Sequence, residues 1–318
     1  MGEWPAIEDA TIEEDAPLSA VCTFQLGGPC RRLITCASPM ALIETVRLLA
    51  QRAEPYVLMG GGSNLLISDH GFDGTVVRFV REALKARRLG TQVTVSACAS
   101  LDDLAAYTAK EGVEGLMCCT GIPGTIGGAI VGNAGAWGRQ IGDVLESVIL
   151  VLPDGELSEA APRDLDFGYR RSRLQSATAW VAGARFRLME ADPSVLDRER
   201  QEILRKRAER HPDWRTLPCI GSIFRNIEPS SSADRRQAAG WFLEQAGAKE
   251  MRVGGARFFE KHANIIVKDK DCTAQDVYDL LTQMRQAVRE KFDLELVREV
   301  RLLGRFRGEE GRPSDRYF

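Results

Sequence analysis

Gly121-Ile122-Pro123-Gly124-Thr125-Ile126-Gly127-Gly128-Ala129-Ile130-Val131-Gly132-Asn133-Ala134-Gly135-Ala136-Trp137-Gly138 packs seven glycines into eighteen residues and carries no charged side chain. A flexible linker would mix its glycines with Ser, Lys or Glu, so this segment reads as backbone that must lie close to a large flat or anionic ligand. Tight packing of one element on another is the competing explanation for so many missing side chains. Upstream, Pro55-Tyr56-Val57-Leu58-Met59-Gly60-Gly61-Gly62-Ser63-Asn64 runs a β-like stretch into three glycines and two polar side chains. Such a turn can present consecutive N–H groups to a phosphate. It is not a Walker loop, since no Gly-Lys-Ser/Thr follows, nor a dinucleotide fingerprint, since Leu65-Leu66-Ile67 continues as β-like chain rather than opening a helix.

The flanks of these segments mix strands and helices. Arg31–Cys36, Pro55–Met59, Thr75–Phe79 and Thr91–Cys98 are β-rich. Ser38-Pro39 sets an N-cap before a first-turn proline, and the stripe Leu42, Ile43, Val46, Leu49 and Ala50 predicts a helix. Ser100 with Asp103 opens a second one through Leu101, Leu104, Ala105 and Thr108. Val144–Leu152 and Ala177–Leu188 read as strands, and a charged helix from about Pro193 to Arg210 stops at His211-Pro212. The last hundred residues predict a strand at Ile220–Arg225, a helix at Gln237–Ala246 and a strand at Asn264–Val267. A helix capped by Thr273 and Asp276 follows, then a closing strand at Leu294–Leu303 and a loose charged tail from Arg305. The pattern is α+β, with a domain boundary between about 190 and 215.

A net charge of −3 over 318 residues gives no general attraction to nucleic acid, so any anionic ligand must be met by local groups. No apolar run approaches the roughly 18 residues of a membrane span, and the acidic start Met1–Pro17 lacks a leader's basic and apolar regions. A cytoplasmic protein is the expectation. The eight cysteines include no CxxC and the three histidines stand far apart in sequence, which argues against a metal site. The cysteines read as small buried hydrophobes, with the adjacent Cys118-Cys119 set apart as a candidate for redox sensitivity.

Together the two glycine segments resemble the FAD-binding signature of the MurB reductases, within the vanillyl-alcohol-oxidase type of flavoprotein fold. The resemblance extends over nearly the whole chain. Thr23 through Pro29 is similar to the family's Thr-Phe-x-x-Gly-Gly segment, Gly168-Tyr169-Arg170-Arg171-Ser172 to its Tyr-Arg-x-Ser, and Gly221-Ser222-Ile223-Phe224-Arg225-Asn226 to its Gly-Ser-x-Phe-Lys-Asn. Ala239-Gly240-Trp241 through Gln245-Ala246-Gly247, Lys261-His262-Ala263-Asn264, and Leu296 through Glu299-Val300 follow in the family's order. Arg225 departs from the usual Lys but keeps the cation, Ile227 departs from Pro, and the polar stretch 229–236 is inserted. No extra tyrosine-bearing loop is visible, which points to the family's shorter type.

The resemblance implies a two-part FAD-binding domain at 18–190, divided near residue 80, and a C-terminal α+β substrate-binding domain at 212–305. It also implies NADPH-dependent reduction of UDP-N-acetylglucosamine enolpyruvate by a cytoplasmic monomer in peptidoglycan precursor synthesis, with no nucleic acid, membrane or metal involved. By the same resemblance Ser222 donates the proton, Arg170 rather than its neighbour Arg171 contacts the substrate carboxylate, and Glu299 polarises the enolate or relays protons. On the residues alone Ser222 would be a turn serine and Glu299 would pair with Arg298 or Arg301; Glu295 is the fallback for Glu299. Gly60, Gly61, Gly62, Ser63 and Asn64 are expected near the FAD pyrophosphate, and Gly121, Gly124, Thr125, Ile126 and Gly128 along the cofactor. Arg225, Asn226 and Lys261 are expected at the substrate diphosphate, and His262 in a structural role. An FAD-dependent oxidase of the same fold would account for the glycines but not for Gly221-Ser222-Ile223-Phe224 together with Lys261-His262-Ala263-Asn264 and Glu299, and a non-catalytic FAD-fold protein would be favoured by loss of Ser222, Arg170 or Glu299, all of which are present.

Overall fold

The computed structural model describes residues 4–52, 54–176, 178–229 and 235–308. From the N-terminus run β1 (Ala10–Pro17), β2 (Pro29–Cys36), α1 (Pro39–Ala50), β3 (Tyr56–Met59), β4 (Leu65–Ile67) and β5 (Phe72–Phe79). Four of these strands form a sheet in the order β1-β2-β5-β3, with β2, β5 and β3 parallel and β1 antiparallel on the edge. The Ser38 hydroxyl accepts from the Ala41 N–H at 3.2 Å, which starts α1 where the sequence places it. The acidic N-terminal stretch, read from sequence only as lacking a leader, is the strand β1. It shows no apolar alternation and is held by its ladder to β2 and by Glu14, which accepts from the buried Arg32 at 2.7 Å.

A second, wholly antiparallel sheet follows. Its strands are β6 (Ala86–Leu89), β7 (Gln92–Ser96), β11 (Leu145–Val151), β12 (Leu157–Ala160) and β13 (Trp180–Arg187), in the order β12-β11-β13-β7-β6. Between β7 and β11 come α2 (Leu101–Lys110), the short β8 (Val113–Glu114), α3 (Ile126–Gly132) and the tight hairpin β9 (Gly135–Ala136) to β10 (Arg139–Gln140). Strand β14 (Met189–Glu190) pairs back onto β8. Leu42, Val46 and Leu49 of α1 share one core with Ile34 and Val77 of the first sheet and Val95, Val148 and Phe186 of the second. Each such side chain contributes about 1.5–3 kcal/mol over leaving it exposed, so α1 serves as the seam between the two sheets.

Helix α4 (Pro193–Arg210) leads to the third sheet, β15 (Cys219–Ser222), β16 (Arg252–Val253), β17 (Ala256–Phe259) and β18 (His262–Lys268), in the order β15-β18-β17-β16. Helices α5 (Ala239–Gln245) and α6 (Ala274–Phe292) cover it, the latter opened by the expected Thr273–Asp276 capping box. This region interlocks with the N-terminal one. Phe24, Leu26 and Leu66 lie in its core, Thr23 Oγ1 donates to the Cys219 carbonyl at 2.9 Å, and the Asp69 carboxylate accepts from the first N–H groups of α6. All eight cysteines are free and buried, with the Cys118 and Cys119 sulfurs 3.8 Å apart.

Two expectations need correction. The closing strand is only β19 (Arg301–Leu303), parallel to β4. Residues before it pair elsewhere: Glu299 N–H donates to Ile223 O, and Arg225 N–H to Val297 O, so the chain must turn from the third sheet toward β4. Leu302 and Leu303 are both buried, because one faces the C-terminal core and the other the core under β3 and β4. The strand expected at Ile220–Arg225 likewise ends at Ser222, because Gly221 takes φ +76° and breaks the register with β18. The rest of the insert at 230–234 and the tail from 309 lie outside the described residues.

Candidate active site

The glycine loops, α3, Arg170, the end of α4, β15 and Glu299 surround one cavity of about 710 Å³, a size suited to a bound organic ligand. The loops explain their own composition. A Cβ on Gly60 would stand 2.2 Å from Thr125 Oγ1, one on Gly61 3.3 Å from Gly124 Cα, and one on Gly124 2.5 Å from Ser63 Oγ. Ser63 Oγ in turn donates to Pro123 O at 3.0 Å. The two loops therefore lie directly on each other, and the glycines serve tight packing as well as access: with no side chains between them, their backbone edges form the cavity wall. Within the second segment sits α3, a helix the glycine count conceals. Its stop-start composition costs about 1 kcal/mol per interior glycine, offset by the Thr125 cap and by burial of Ile126, Ala129 and Ile130.

Arg170 is held in a left-handed conformation, φ +53°, after Tyr169. Its Nε donates to Glu299 Oε1 at 2.9 Å, Nη1 to Asn133 O at 3.3 Å and Nη2 to Gly135 O at 2.7 Å, while Gln175 Nε2 donates to the Arg170 carbonyl at 3.0 Å. Three of the five guanidinium N–H donors are thus committed to the frame and two remain for a ligand. Glu299 is pinned through its backbone as well: its N–H donates to Ile223 O at 2.8 Å and its carbonyl accepts from Asn64 Nδ2 at 3.2 Å. Burial raises the Glu299 carboxyl above the ordinary carboxylate value, and the nearby Arg170 and Arg225 charges pull the other way without cancelling it. The fallback Glu295 pairs with Arg285 and Arg289 on the surface, away from Arg170.

Ser222 sits half-buried on the same wall, opposite Ile265 and directly after the Gly221 kink, with no atom near the position a Gly221 side chain would occupy. The chain beyond it is clamped by buried Asn264, whose Oδ1 accepts from Phe224 N–H at 2.9 Å and whose Nδ2 donates to Phe224 O at 2.8 Å. His262 Nδ1 accepts from Asn264 N–H, and its ring lies 5.3 Å from that of His211, tilted by 46°. Burial holds both imidazoles below the ordinary value, His211 at about 4, so both are neutral near pH 7.

Four buried polar atoms on this wall have no hydrogen-bond partner among the described residues: Trp180 Nε1, Arg207 Nε, His211 Nδ1 and Arg225 Nε. Leaving such groups unmatched costs about 1–3 kcal/mol each, so this wall is suited to a polar ligand. Beside them Leu58, Met59, Ala97 and Val181 offer apolar surface. A flat ring system joined to phosphates, as in FAD, meets both requirements.

Most residues singled out from sequence meet here. Gly60 through Asn64, Gly124, Thr125, Gly128, Arg170, Ser222, Arg225, Asn226 and Glu299 line the cavity. Three do not. Gly121 packs under the Arg207 side chain and donates its N–H to Asp102 at 2.7 Å, Ile126 is a core residue, and Lys261 is exposed on the turn between β17 and β18. Arg171, read as a surface charge, pairs with Asp166 in solvent. Sequence reasoning missed Trp137, Trp180, Arg207, Arg210 and His211. The arginines belong to a helix that is charged all along its length, so nothing in its composition marks the two that border the cavity.

Residues 212–303 match the model of the UDP-N-acetylenolpyruvoylglucosamine reductase C-terminal domain, and residues 30–161 that of an FAD binding domain. The chain is 38% identical over 298 residues to the UDP-N-acetylenolpyruvoylglucosamine reductase of Synechococcus sp. (strain JA-3-3Ab), covering 93% of this chain and 92% of that one. It is 32% identical over 308 residues to the enzyme of that name from Bacillus licheniformis, covering 95% and 97%. The crystal structure of UDP-N-acetylenolpyruvylglucosamine reductase (MurB) from Thermus caldophilus superposes with a TM-score of 0.74 at 29% identity, over 93% of this chain and 99% of that one.

Proposed function

The chain belongs to the UDP-N-acetylenolpyruvoylglucosamine reductase family, and from that membership and its cavity we infer an FAD-dependent enzyme that reduces UDP-N-acetylglucosamine enolpyruvate to UDP-N-acetylmuramate with NADPH. It is thus a UDP-N-acetylmuramate dehydrogenase of peptidoglycan precursor synthesis. One observation above all supports the division of labour proposed here: Arg170, Ser222 and Glu299, distant in sequence, share a wall with both glycine loops. Bound FAD supplies the hydride chemistry between NADPH and the enolpyruvyl β-carbon.

The protein's own residues handle charge and protons. The two uncommitted N–H donors of Arg170 grip the substrate carboxylate, where negative charge builds as the α-carbon becomes enolate-like. Glu299 fixes the guanidinium, and burial raises its pKa above the ordinary carboxylate value, the direction that favours its holding and passing a proton. Ser222 Oγ delivers the proton to the α-carbon. Arg225 and Asn226 hold the diphosphate, and Arg225 there gains a partner for its unmatched Nε. Residues 18–190 form the FAD-binding part and 212–305 the substrate-binding part. The setting proposed is a cytoplasmic monomer whose product feeds wall growth, cell shape and division; no helix among the described residues is long and apolar enough to cross a membrane.

The purified chain is expected to show the visible absorbance of oxidised flavin and to consume NADPH only when the enolpyruvyl substrate is present. Flavin turned over by oxygen alone would replace this reading with an oxidase. A Gly60→Ala variant tests the cradle: the added carbon collides with Thr125 and parts the two loops, so flavin affinity should fall tenfold or more, about 1.4 kcal/mol, in a protein that still unfolds cooperatively. Unchanged flavin content in that variant would remove the loops from the cofactor site.

A further inference from the structure

The stretch 229–236, inserted relative to the family pattern, is closed by a pair of bonds that proline at 227 would forbid. Ile227 N–H donates to Gln237 O and Gln237 N–H to Ile227 O, both at 3.0 Å, an isolated antiparallel bridge just beyond Arg225 and Asn226. Proline has no N–H, so the usual residue would lose half of that pair. Glu228 and Arg236 are the next residues in on the two arms, and Arg236 Nε donates to both Glu228 carboxylate oxygens, at 3.2 and 3.1 Å. An exposed ion pair contributes little stability, so its effect is to aim the guanidinium. That group lies over the ring of Tyr169, its central carbon 3.8 Å from the centroid.

Tyr169 is where this arm meets the active site. Tyr169 and Arg170 are the two central residues of a tight turn closed by Gly168 N–H to Arg171 O at 3.0 Å and Arg171 N–H to Gly168 O at 3.1 Å. Arg170 stands in that turn at φ +53°, a conformation that an arginine keeps only when its surroundings hold it there. The Tyr169 ring supplies such a hold from the C-terminal part of the chain. Its hydroxyl accepts from Asn226 N–H at 3.4 Å, Arg236 covers it, and the Arg170 guanidinium lies 5.2 Å from the same centroid. Resting on the reductase reading above, we propose that Arg236 is a positioning residue for Arg170: from its closed stem it pins the Tyr169 ring, and with it the turn that aims the substrate-facing guanidinium. Neither Arg236 nor Tyr169 lines the cavity, so Arg236 acts through the ring and not on the ligand.

Half-reactions of the FAD-loaded enzyme test the assignment. Arg236 is exposed, so Arg236→Ala spares the fold. At saturating UDP-N-acetylglucosamine enolpyruvate this variant is expected to slow flavin reoxidation roughly three- to fivefold, the scale of one exposed cation–π contact. Flavin content, flavin reduction by NADPH and the half-saturating concentration of the UDP-sugar stay at wild-type values. Arg236→Lys, which keeps a cation over the ring, restores most of the rate, and Ile227→Pro, which opens the stem, repeats the loss. In a Tyr169→Leu background Arg236→Ala costs nothing further, because the ring through which it acts is gone. Three results overturn the proposal: a rise in the half-saturating UDP-sugar concentration at an unchanged saturating rate, which makes Arg236 a binding residue; the same loss in the Tyr169→Leu background; or wild-type kinetics in Arg236→Ala. Wild-type reduced flavin separates the two levels. If the UDP-sugar fails to reoxidise it, the reductase reading falls and the positioning role with it, whereas equal reoxidation in wild type and Arg236→Ala sinks the positioning role alone.

Discussion

Ser222→Ala leaves reduction of the bound flavin by NADPH at the wild-type rate and slows flavin reoxidation by UDP-N-acetylglucosamine enolpyruvate by on the order of 10²- to 10⁴-fold, the range of a lost general acid. The expectation follows from where the hydroxyl stands. The Gly221 kink and the Asn264 clamp set Ser222 on the cavity wall by backbone geometry that an alanine preserves, so the variant loses a proton donor and little else. Proton delivery enters only the second half-reaction, so stopped-flow traces of the two halves separate the roles. A collapse of the first half would mean that Ser222 shapes the flavin site, and the donor would have to be sought elsewhere on the wall.

Arg170→Met lowers kcat by on the order of 10²- to 10³-fold, as expected when a fixed donor to developing negative charge is removed. It also strips Glu299 of its nearest cation. The carboxyl, already above the ordinary value through burial, then rises further. A carboxyl whose folded pKa exceeds its unfolded value stabilises the fold at pH below the unfolded value and loses that contribution as pH climbs through the folded one. Stability of Arg170→Met should therefore fall more steeply than wild type as pH rises from about 4.5 toward neutrality, a deficit on the order of 1–3 kcal/mol. Adding Glu299→Gln should flatten the slope. Thermal unfolding across that range is the measurement, and parallel curves for wild type and Arg170→Met would show that the two side chains are not coupled.

How much of this was legible in the sequence depends on the range of the interaction that encodes it. Helices α1, α4 and α6 are announced by caps and stripes within one or two turns, and their ends agree with the sequence to within a residue or so. Helix α3 was hidden because its glycines argue against it locally, and it is stabilised by the Thr125 cap and by burial of Ile126, Ala129 and Ile130 in the core shared with the second sheet. Strand β1 was hidden because its acidic run has no alternation and acquires its geometry from β2. The triad candidates were legible by motif alone. Lys261 carried the right charge in a matching motif, yet its turn directs it to solvent, whereas Arg207 and Arg210 carried no motif and face the cavity.

By itself, the sequence determined the α+β class, the FAD-type glycine loops, the family and the residue types available for chemistry, since each is written in short spans of chain. The tertiary structure decided what those residues can do. Arg170 is a poised cation because carbonyls at 133 and 135 and a carboxylate at 299 converge on it. Glu299 is perturbed because backbone bonds to residues 223 and 64 hold it where the folded chain buries its carboxyl. Trp137 is exposed because a two-residue turn projects it toward the end of α4. Contacts of this kind join residues from 35 to 235 positions apart, and the desolvation that shifts a pKa or leaves a guanidinium unmatched arises only once the chain has closed around them.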